Sequence, residues 1–104
     1  MNALIERHRK MVEQFPNNEI ARFSLGKALY DDGQIAAAKE QFDIALAKKP
    51  DWMVVQILTG KCALAQGDKA TARAAFEKAR DLAMTQHHEG PLAEMEQMLA
   101  ELET

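Results

Sequence analysis

The sequence has little of what disulfide-stabilised, secreted or membrane proteins need. Its one cysteine, Cys62, excludes an intramolecular disulfide and lies among apolar residues, so we expect a buried, unreactive thiol. No apolar run is long enough to span a membrane. The first ten residues mix acidic and basic groups where a secretory signal needs an apolar stretch. We therefore expect a cytoplasmic protein with no membrane partner.

Basic residues are too few and too scattered for a nucleic-acid surface. The chain has 13 Lys and Arg against 16 Asp and Glu, a formal net charge of −3. A surface that follows a phosphate backbone requires clustered cations. We therefore expect no nucleic-acid partner. The hydrophobic share of 47% instead indicates one folded domain in a chain of 104 residues.

Motifs for catalysis and metal binding are also missing. His87 and His88 are adjacent, so on a helix they point about 100° apart and do not share an ion as an i, i+4 pair does. The sequence contains no Cys cluster, no HExxH spacing and no glycine-rich phosphate loop. Neither Ser24 nor Thr59 belongs to a recognisable nucleophile motif. We predict that the protein is not an enzyme and has no catalytic residue, metal site or cofactor.

Helical periodicity interrupted by proline and glycine is what the chain does contain. Apolar residues recur at i, i+3, i+4 and i+7 between these breaks. Proline disfavours a helical residue before it, and glycine closes a helix in the left-handed conformation. Helices are predicted over about 4–15, 19–31, 35–48, 53–66 and 69–85, with a last helix that has Pro91 at its first position. The fold class is therefore all-α.

The sequence repeats itself at one constant interval of 34 residues, which is the spacing of Pro16 and Pro50. The same residue type recurs at this interval in Pro16 and Pro50, Gly26 and Gly60, Gly33 and Gly67, Ala38 and Ala72, Phe42 and Phe76, and Ala45 and Ala79. A single helical hairpin does not bury its apolar face, so each copy has to pack on its neighbour. Glycine in the first helix permits a close approach, and phenylalanine fills the space beyond it.

This pattern resembles the tetratricopeptide repeat (TPR) family, whose 34-residue helix–turn–helix has a small residue in the first helix, Ala-x3-Phe in the second and a closing proline. Leu25-Gly26, Ala38, Phe42, Ala45 and Pro50 fall in those places. The sequence departs from the pattern where the family has tryptophan, tyrosine and a second closing proline, with Arg22 and Gln56, Leu29 and Ala63, and Met84 respectively.

The resemblance implies a single TPR-like domain over 1–104, a right-handed α-α superhelix or solenoid. Two hairpins are expected at 19–52 and 53–86, with an N-terminal capping helix at 1–16 and a C-terminal capping helix at 91–104. Leu4 and Met11 stand one repeat length before Ala38 and Ala45, so the first helix matches the second helix of a truncated repeat.

TPR proteins hold partners in a concave groove formed by the first helices of the repeats. Carried over position by position, the resemblance selects Ile20, Phe23, Lys27, Tyr30 and Asp31 in the first repeat, and Val54, Ile57, Leu58, Lys61 and Leu64 in the second. Such an apolar strip with two lysines suits a peptide with apolar anchors and an acidic group. The resemblance therefore implies an adaptor or scaffold that binds a peptide or helix of a protein partner.

Two alternatives remain open at this point. The helix at 52–65 is apolar on most of its circumference, so a terminal helix or a second subunit can cover part of the strip. The apolar groove, or the last helix with its stripe of Leu92, Met95, Met98, Leu99 and Leu102, can also dock on a second copy of the chain. The protein would then be a structural subunit of a homodimer or larger homo-oligomer.

Overall fold

The computed structural model describes residues 2–103, which contain six α-helices and no strand. The helices are α1 (Ala3–Gln14), α2 (Glu19–Asp31), α3 (Ile35–Lys48), α4 (Met53–Ala65), α5 (Lys69–Thr85) and α6 (Glu89–Leu102). The all-α prediction is confirmed, and the predicted bounds of α2, α3 and α5 agree with the structure. None of these helices has both the length and the apolar character to cross a bilayer.

The chain divides into two compact units, Met1–Pro50 with α1–α3 and Asp51–Thr104 with α4–α6. Side-chain caps begin three of the helices. Asn2 Oδ1 accepts a hydrogen bond from the Leu4 N–H at 2.9 Å, and Asn18 Oδ1 accepts one from the Ile20 N–H at 2.9 Å. Asp68 caps α5 in the same way. Each cap pairs an N–H group that has no acceptor within its helix.

In the first unit, α2 and α3 form a hairpin and α1 packs on α2. The hairpin core contains Leu25 and Leu29 of α2 and Phe42 of α3, all almost fully buried. On α1, by contrast, only Ile5 and Val12 are buried. The first helix therefore contributes one narrow edge of its apolar surface to the core of the unit.

In the second unit, α5 packs against both α4 and α6. Its core is built around Phe76 of α5 and Met95 of α6, which are fully buried together with Ala63, Ala72 and Ala79, and it includes the nearly buried Ile57. Cys62 is also fully buried, as the sequence predicts. Since fully burying a side chain of this size contributes about 1.5–3 kcal/mol, Met95 attaches α6 firmly to this unit.

The prediction that the last helix begins at Pro91 is wrong. His87 has a φ of 59°, the left-handed conformation that Gly33 and Gly67 adopt in the other hairpin turns. The His88 N–H then donates to the Ala83 carbonyl at 2.9 Å, which closes α5 after Thr85, and α6 starts at Glu89. Pro91 thus lies in the first turn, where its missing N–H removes no hydrogen bond.

Candidate functional site

An exposed apolar surface runs along α1 and α2 in the first unit. Leu4, Met11 and Phe15 on the first helix and its cap are 49%, 42% and 52% exposed, and Ile20 on the second is 63% exposed. Solvent-exposed side chains of this size in one region are typical of an interaction surface. We call this surface the α1–α2 groove and define it by Leu4, His8, Met11 and Phe15 together with Ile20, Ser24 and Lys27.

Two adjoining cavities give the groove its depth. One, of about 330 Å³, has mostly apolar walls formed by Arg7, His8, Met11, Phe15, Asn18, Ile20, Ala21 and Ser24. The other, of about 210 Å³, is lined by Leu4, His8, Phe23, Ser24, Lys27, Ala28 and Asp31. His8 and Ser24 line both cavities. The groove is therefore continuous from an apolar part at Phe15 and Ile20 to a polar part at Lys27 and Asp31.

The charges of the groove are unevenly neutralised. Lys27 Nζ lies 2.8 Å and 2.9 Å from the two carboxylate oxygens of Asp31, an i, i+4 ion pair along α2. Arg7, which lines the apolar cavity, has no hydrogen bond or ion pair with any residue in 2–103. The polar part of the groove is thus self-neutralised, whereas its apolar part has an available cation at its rim.

Four of the five predicted residues of the first repeat line the α1–α2 groove. Ile20, Lys27 and Asp31 do so as exposed side chains. Phe23 is half-buried, and its ring centroid lies 6.2 Å from that of Phe42 at an interplanar angle of 38°. Phe23 thus also belongs to the hairpin packing. Tyr30 is half-buried and lines neither cavity.

The predicted residues of the second repeat are largely covered within the second unit. Val54 is exposed, but Ile57 and Leu58 are each only 8% exposed. Leu64 packs against the core cluster around Met95, together with Met98, Leu99 and Leu102 of α6. Lys61 Nζ lies 3.6 Å from Glu94 Oε1 on α6. The last helix therefore lies beside part of the surface that the repeat pattern assigns to a partner, at Lys61 and Leu64.

A larger cleft of about 580 Å³ lies where α1 begins, and its walls are mainly polar. There the Asn2 side-chain amide donates to Asp32 Oδ1 at 3.4 Å, and the Gln34 amide donates to Asp32 Oδ2 at 2.9 Å. The bond from Gln34, and then that from Asn2, lowers the pKa of Asp32 below its ordinary value of 3.8. Because these groups are paired with one another, we assign them to holding the start of α1 beside the α2–α3 turn.

The sequence did not identify Leu4, His8, Met11 and Phe15 as site residues. Their helical spacing reads equally well as the core face of a capping helix. The available signal was their register, since Leu4, His8 and Met11 stand one repeat length before Ala38, Phe42 and Ala45. This register gives α1 the face of a second hairpin helix, and the first helix of that hairpin has no counterpart in the described residues.

Comparison with known proteins agrees with this repeat geometry. Two overlapping segments, residues 3–51 and 23–87, match the family model for the tetratricopeptide repeat. The TPR repeat-containing protein PA0015 of Pseudomonas aeruginosa is 32% identical over 100 residues, which cover 96% of this chain and 95% of that protein. The chain therefore belongs to the TPR family.

Solved structures show the same fold. The solution structure of protein BPP2914 from Bordetella parapertussis superposes with a TM-score of 0.81 at 32% identity, covering 98% of this chain and 89% of that one. PcrH, in a crystal structure with the chaperone binding region of PopD, superposes with a TM-score of 0.86 at 20% identity, covering 94% of this chain and 74% of that chain. The match to PcrH supports the TPR fold alone.

Proposed function

We propose that this protein is an adaptor that binds a segment of another protein in the α1–α2 groove. The observation that carries the proposal is the exposure of Leu4, Met11, Phe15 and Ile20 along one continuous groove. Burying such side chains against a partner releases about 25 cal/mol for each Å² of apolar surface removed from water. A groove with apolar anchors and few polar groups is suited to a peptide or helix.

The fold is consistent with this role. PcrH has a similar fold, and its structure contains the chaperone binding region of another protein, PopD. We place the partner of the present chain on α1 and α2 because the corresponding positions of the second unit, Ile57, Leu58 and Leu64, are buried or packed beside α6. The surface we propose is thus narrower than the ten positions that the repeat pattern selects, and it adds the exposed residues of α1.

The proposal changes the role of the two aligned lysines. The sequence suggested that Lys27 and Lys61 hold an acidic group of the partner. In the free protein, however, Lys27 is paired with Asp31 and Lys61 lies beside Glu94. An acidic ligand would have to displace these carboxylates, so we propose that apolar contacts supply most of the affinity. We further propose that the adaptor acts in the cytoplasm without catalysis.

Affinity purification with matched variants tests this function. Ile20→Asp places a charge in the groove at a side chain that is already 63% exposed, so the fold is retained. Met84→Asp makes the same kind of change at a 56% exposed side chain on α5 and serves as the control. Proteins from the native source that the parent and Met84→Asp retain, and Ile20→Asp loses, would support the proposal. Equal retention by the parent and both variants would refute it.

A self-assembly subunit is the alternative function, with the groove closed by a second copy. Light scattering across a range of concentrations distinguishes the two. A mass that doubles in the parent and stays monomeric in Ile20→Asp would favour self-assembly. A constant monomer mass in both would leave the adaptor as the supported function.

A further inference from the structure

We infer that the partner segment is an acidic amphipathic helix that docks along α1, in the place that a first hairpin helix takes in the two complete hairpins. The inference rests on the proposed function and specifies the chemistry of its partner. Three observations support it: the register of α1, the exposure of the face in that register, and the charge at the rim of the groove.

The register comes from the two complete hairpins. In the first unit Ala38, Phe42 and Ala45 of α3 are fully buried, with Phe42 against Gly26 of α2. In the second unit the equivalent residues Ala72, Phe76 and Ala79 of α5 are also fully buried, with Phe76 against Gly60 of α4. This face of a second hairpin helix therefore receives a helix in both units.

On α1 the same face consists of Leu4, His8 and Met11, with Phe15 continuing the row at the helix end. Leu4 and Met11 are almost half exposed, although their counterparts in α3 and α5 are inaccessible. The row spans about 16 Å at 1.5 Å per residue, which matches about three turns of a docked helix. The exposed row follows a helix axis, so a helical occupant fits it better than an extended strand.

The charged side chains around the groove indicate the charge that the partner segment should carry. Arg7 lines the apolar cavity and forms no ion pair within residues 2–103, whereas Lys10, one turn later on α1, lines neither cavity. The acidic residues of α1, Glu6 and Glu13, line neither cavity of the groove. The Lys27–Asp31 pair adds no net charge. The groove is thus locally positive in a chain whose net charge is −3, so acidic side chains flanking the apolar stripe of the partner are favoured.

The test uses three designed, fluorescently labelled peptides of about 18 residues. The first has a Leu stripe at i, i+3, i+4 and i+7 flanked by Glu, the second replaces each Glu with Lys, and the third carries the Glu sequence with two central prolines that prevent a helix. Fluorescence anisotropy measures the affinity of each for the full chain. We expect the acidic helix to bind at least about tenfold more tightly than either of the others.

Two charge-reversal variants of the protein, one test variant and one control, complete the experiment. Arg7→Glu reverses the charge at the groove, and Lys78→Glu makes the same change at an exposed site on α5 in the second unit. Arg7→Glu should weaken binding of the acidic helix about fivefold or more and strengthen binding of the basic one. Lys78→Glu should leave both affinities within twofold of the parent. Equal effects of the two variants would indicate a response to net charge alone and would overturn the assignment.

The remaining outcomes are also decisive. Equal binding of the acidic and basic helices, equal binding of the proline peptide, or no binding of any peptide overturns the acidic-helix inference. A parent that dimerises, and whose dimer is abolished by Ile20→Asp, assigns the groove to a second copy and also overturns it. If the affinity purification still shows a partner lost on Ile20→Asp, the adaptor function stands although this inference fails.

Discussion

The Phe42 ring lies so close to Gly26 that a Cβ on the glycine would stand 2.6 Å from Phe42 Cε1 and 2.8 Å from Cδ1. Real side chains do not approach at such distances, so only glycine allows α2 to reach α3 in this way. Gly60 has the same relationship with Phe76 in the second unit. The constant interval in the sequence therefore corresponds to a repeated contact, in which a phenylalanine ring packs against the backbone of a glycine.

Gly26→Ala should destabilise the protein because the added methyl group has to displace the buried Phe42 ring. Overpacking of this kind costs about 1–3 kcal/mol, and the better helix propensity of alanine offsets about 1 kcal/mol of it. We expect a net loss of up to about 2 kcal/mol in the free energy of unfolding, measured by urea titration.

Gly90→Ala is the matched control, because a Cβ at this helical position meets no atom within 4 Å apart from its chain neighbours and the backbone of its own helix. It should change the free energy of unfolding by less than about 1 kcal/mol, because the following Pro91 disfavours a helical residue with a Cβ and so opposes the better helix propensity of alanine. The double variant Gly26→Ala/Phe42→Leu should lose less stability than the sum of its single changes, because a smaller side chain makes room for the methyl group. Strict additivity would contradict the proposed contact.

Thr59→Val should stabilise the second unit. Thr59 is 5% exposed, and its Oγ1 has no hydrogen-bond partner among the described residues. A buried hydroxyl without a partner costs about 1–3 kcal/mol, and valine fills nearly the same volume without a polar atom. Differential scanning calorimetry should show a higher Tm. A lower Tm would indicate that the hydroxyl is paired in solution.

His87→Gly should also stabilise the protein, through the backbone. A non-glycine residue in the left-handed conformation is strained, and the φ of 59° at His87 lies in that region. We expect a gain of about 0.5–1 kcal/mol in unfolding free energy. Gln86→Gly is the control, since Gln86 has an ordinary φ of −93° and should lose stability when changed. Similar losses in both variants would refute the turn geometry.

The Asp32 carboxyl group should titrate below its ordinary pKa of 3.8. Hydrogen bonds from Gln34 and Asn2 favour the charged form, so any stability they add is present above the unfolded pKa and is lost as the pH falls through the lower folded value. Carbon-detected NMR titration measures this pKa directly. Gln34→Ala should move it back towards 3.8, and an unchanged value in that variant would exclude Gln34 as the main cause.

The helices could be predicted well from the sequence because the residues that end them are local signals. Proline and glycine mark most helix ends, and Gly26 and Phe42 recur in register, so bounds and core follow from spacing alone. The start of α6 could not be predicted from the sequence, because His87 adopts a left-handed conformation that is usually found at glycine. The local backbone hydrogen bonds of the turn, such as that from the His88 N–H to the Ala83 carbonyl, set that boundary, and the sequence does not display them.

The candidate site was only partly predictable for a different physical reason. Ile57 and Leu64 occupy family groove positions, yet whether they are open depends on where α6 packs. Leu4 and Met11 look like core residues of an amphipathic helix, yet they are exposed because no described helix lies on that face. Whether an apolar side chain is exposed depends on which helices pack around it, and the apolar pattern of a single helix does not show this.

Methyl-resolved NMR of the full chain during titration with the acidic helix locates the binding surface, because methionine and isoleucine methyl groups report on both units. We expect shifts at Met11 and Ile20 in the α1–α2 groove, with Met84 on α5 and the buried Met95 unchanged. Shifts centred on Met84, with Met11 and Ile20 unmoved, would rule out docking in the α1–α2 groove.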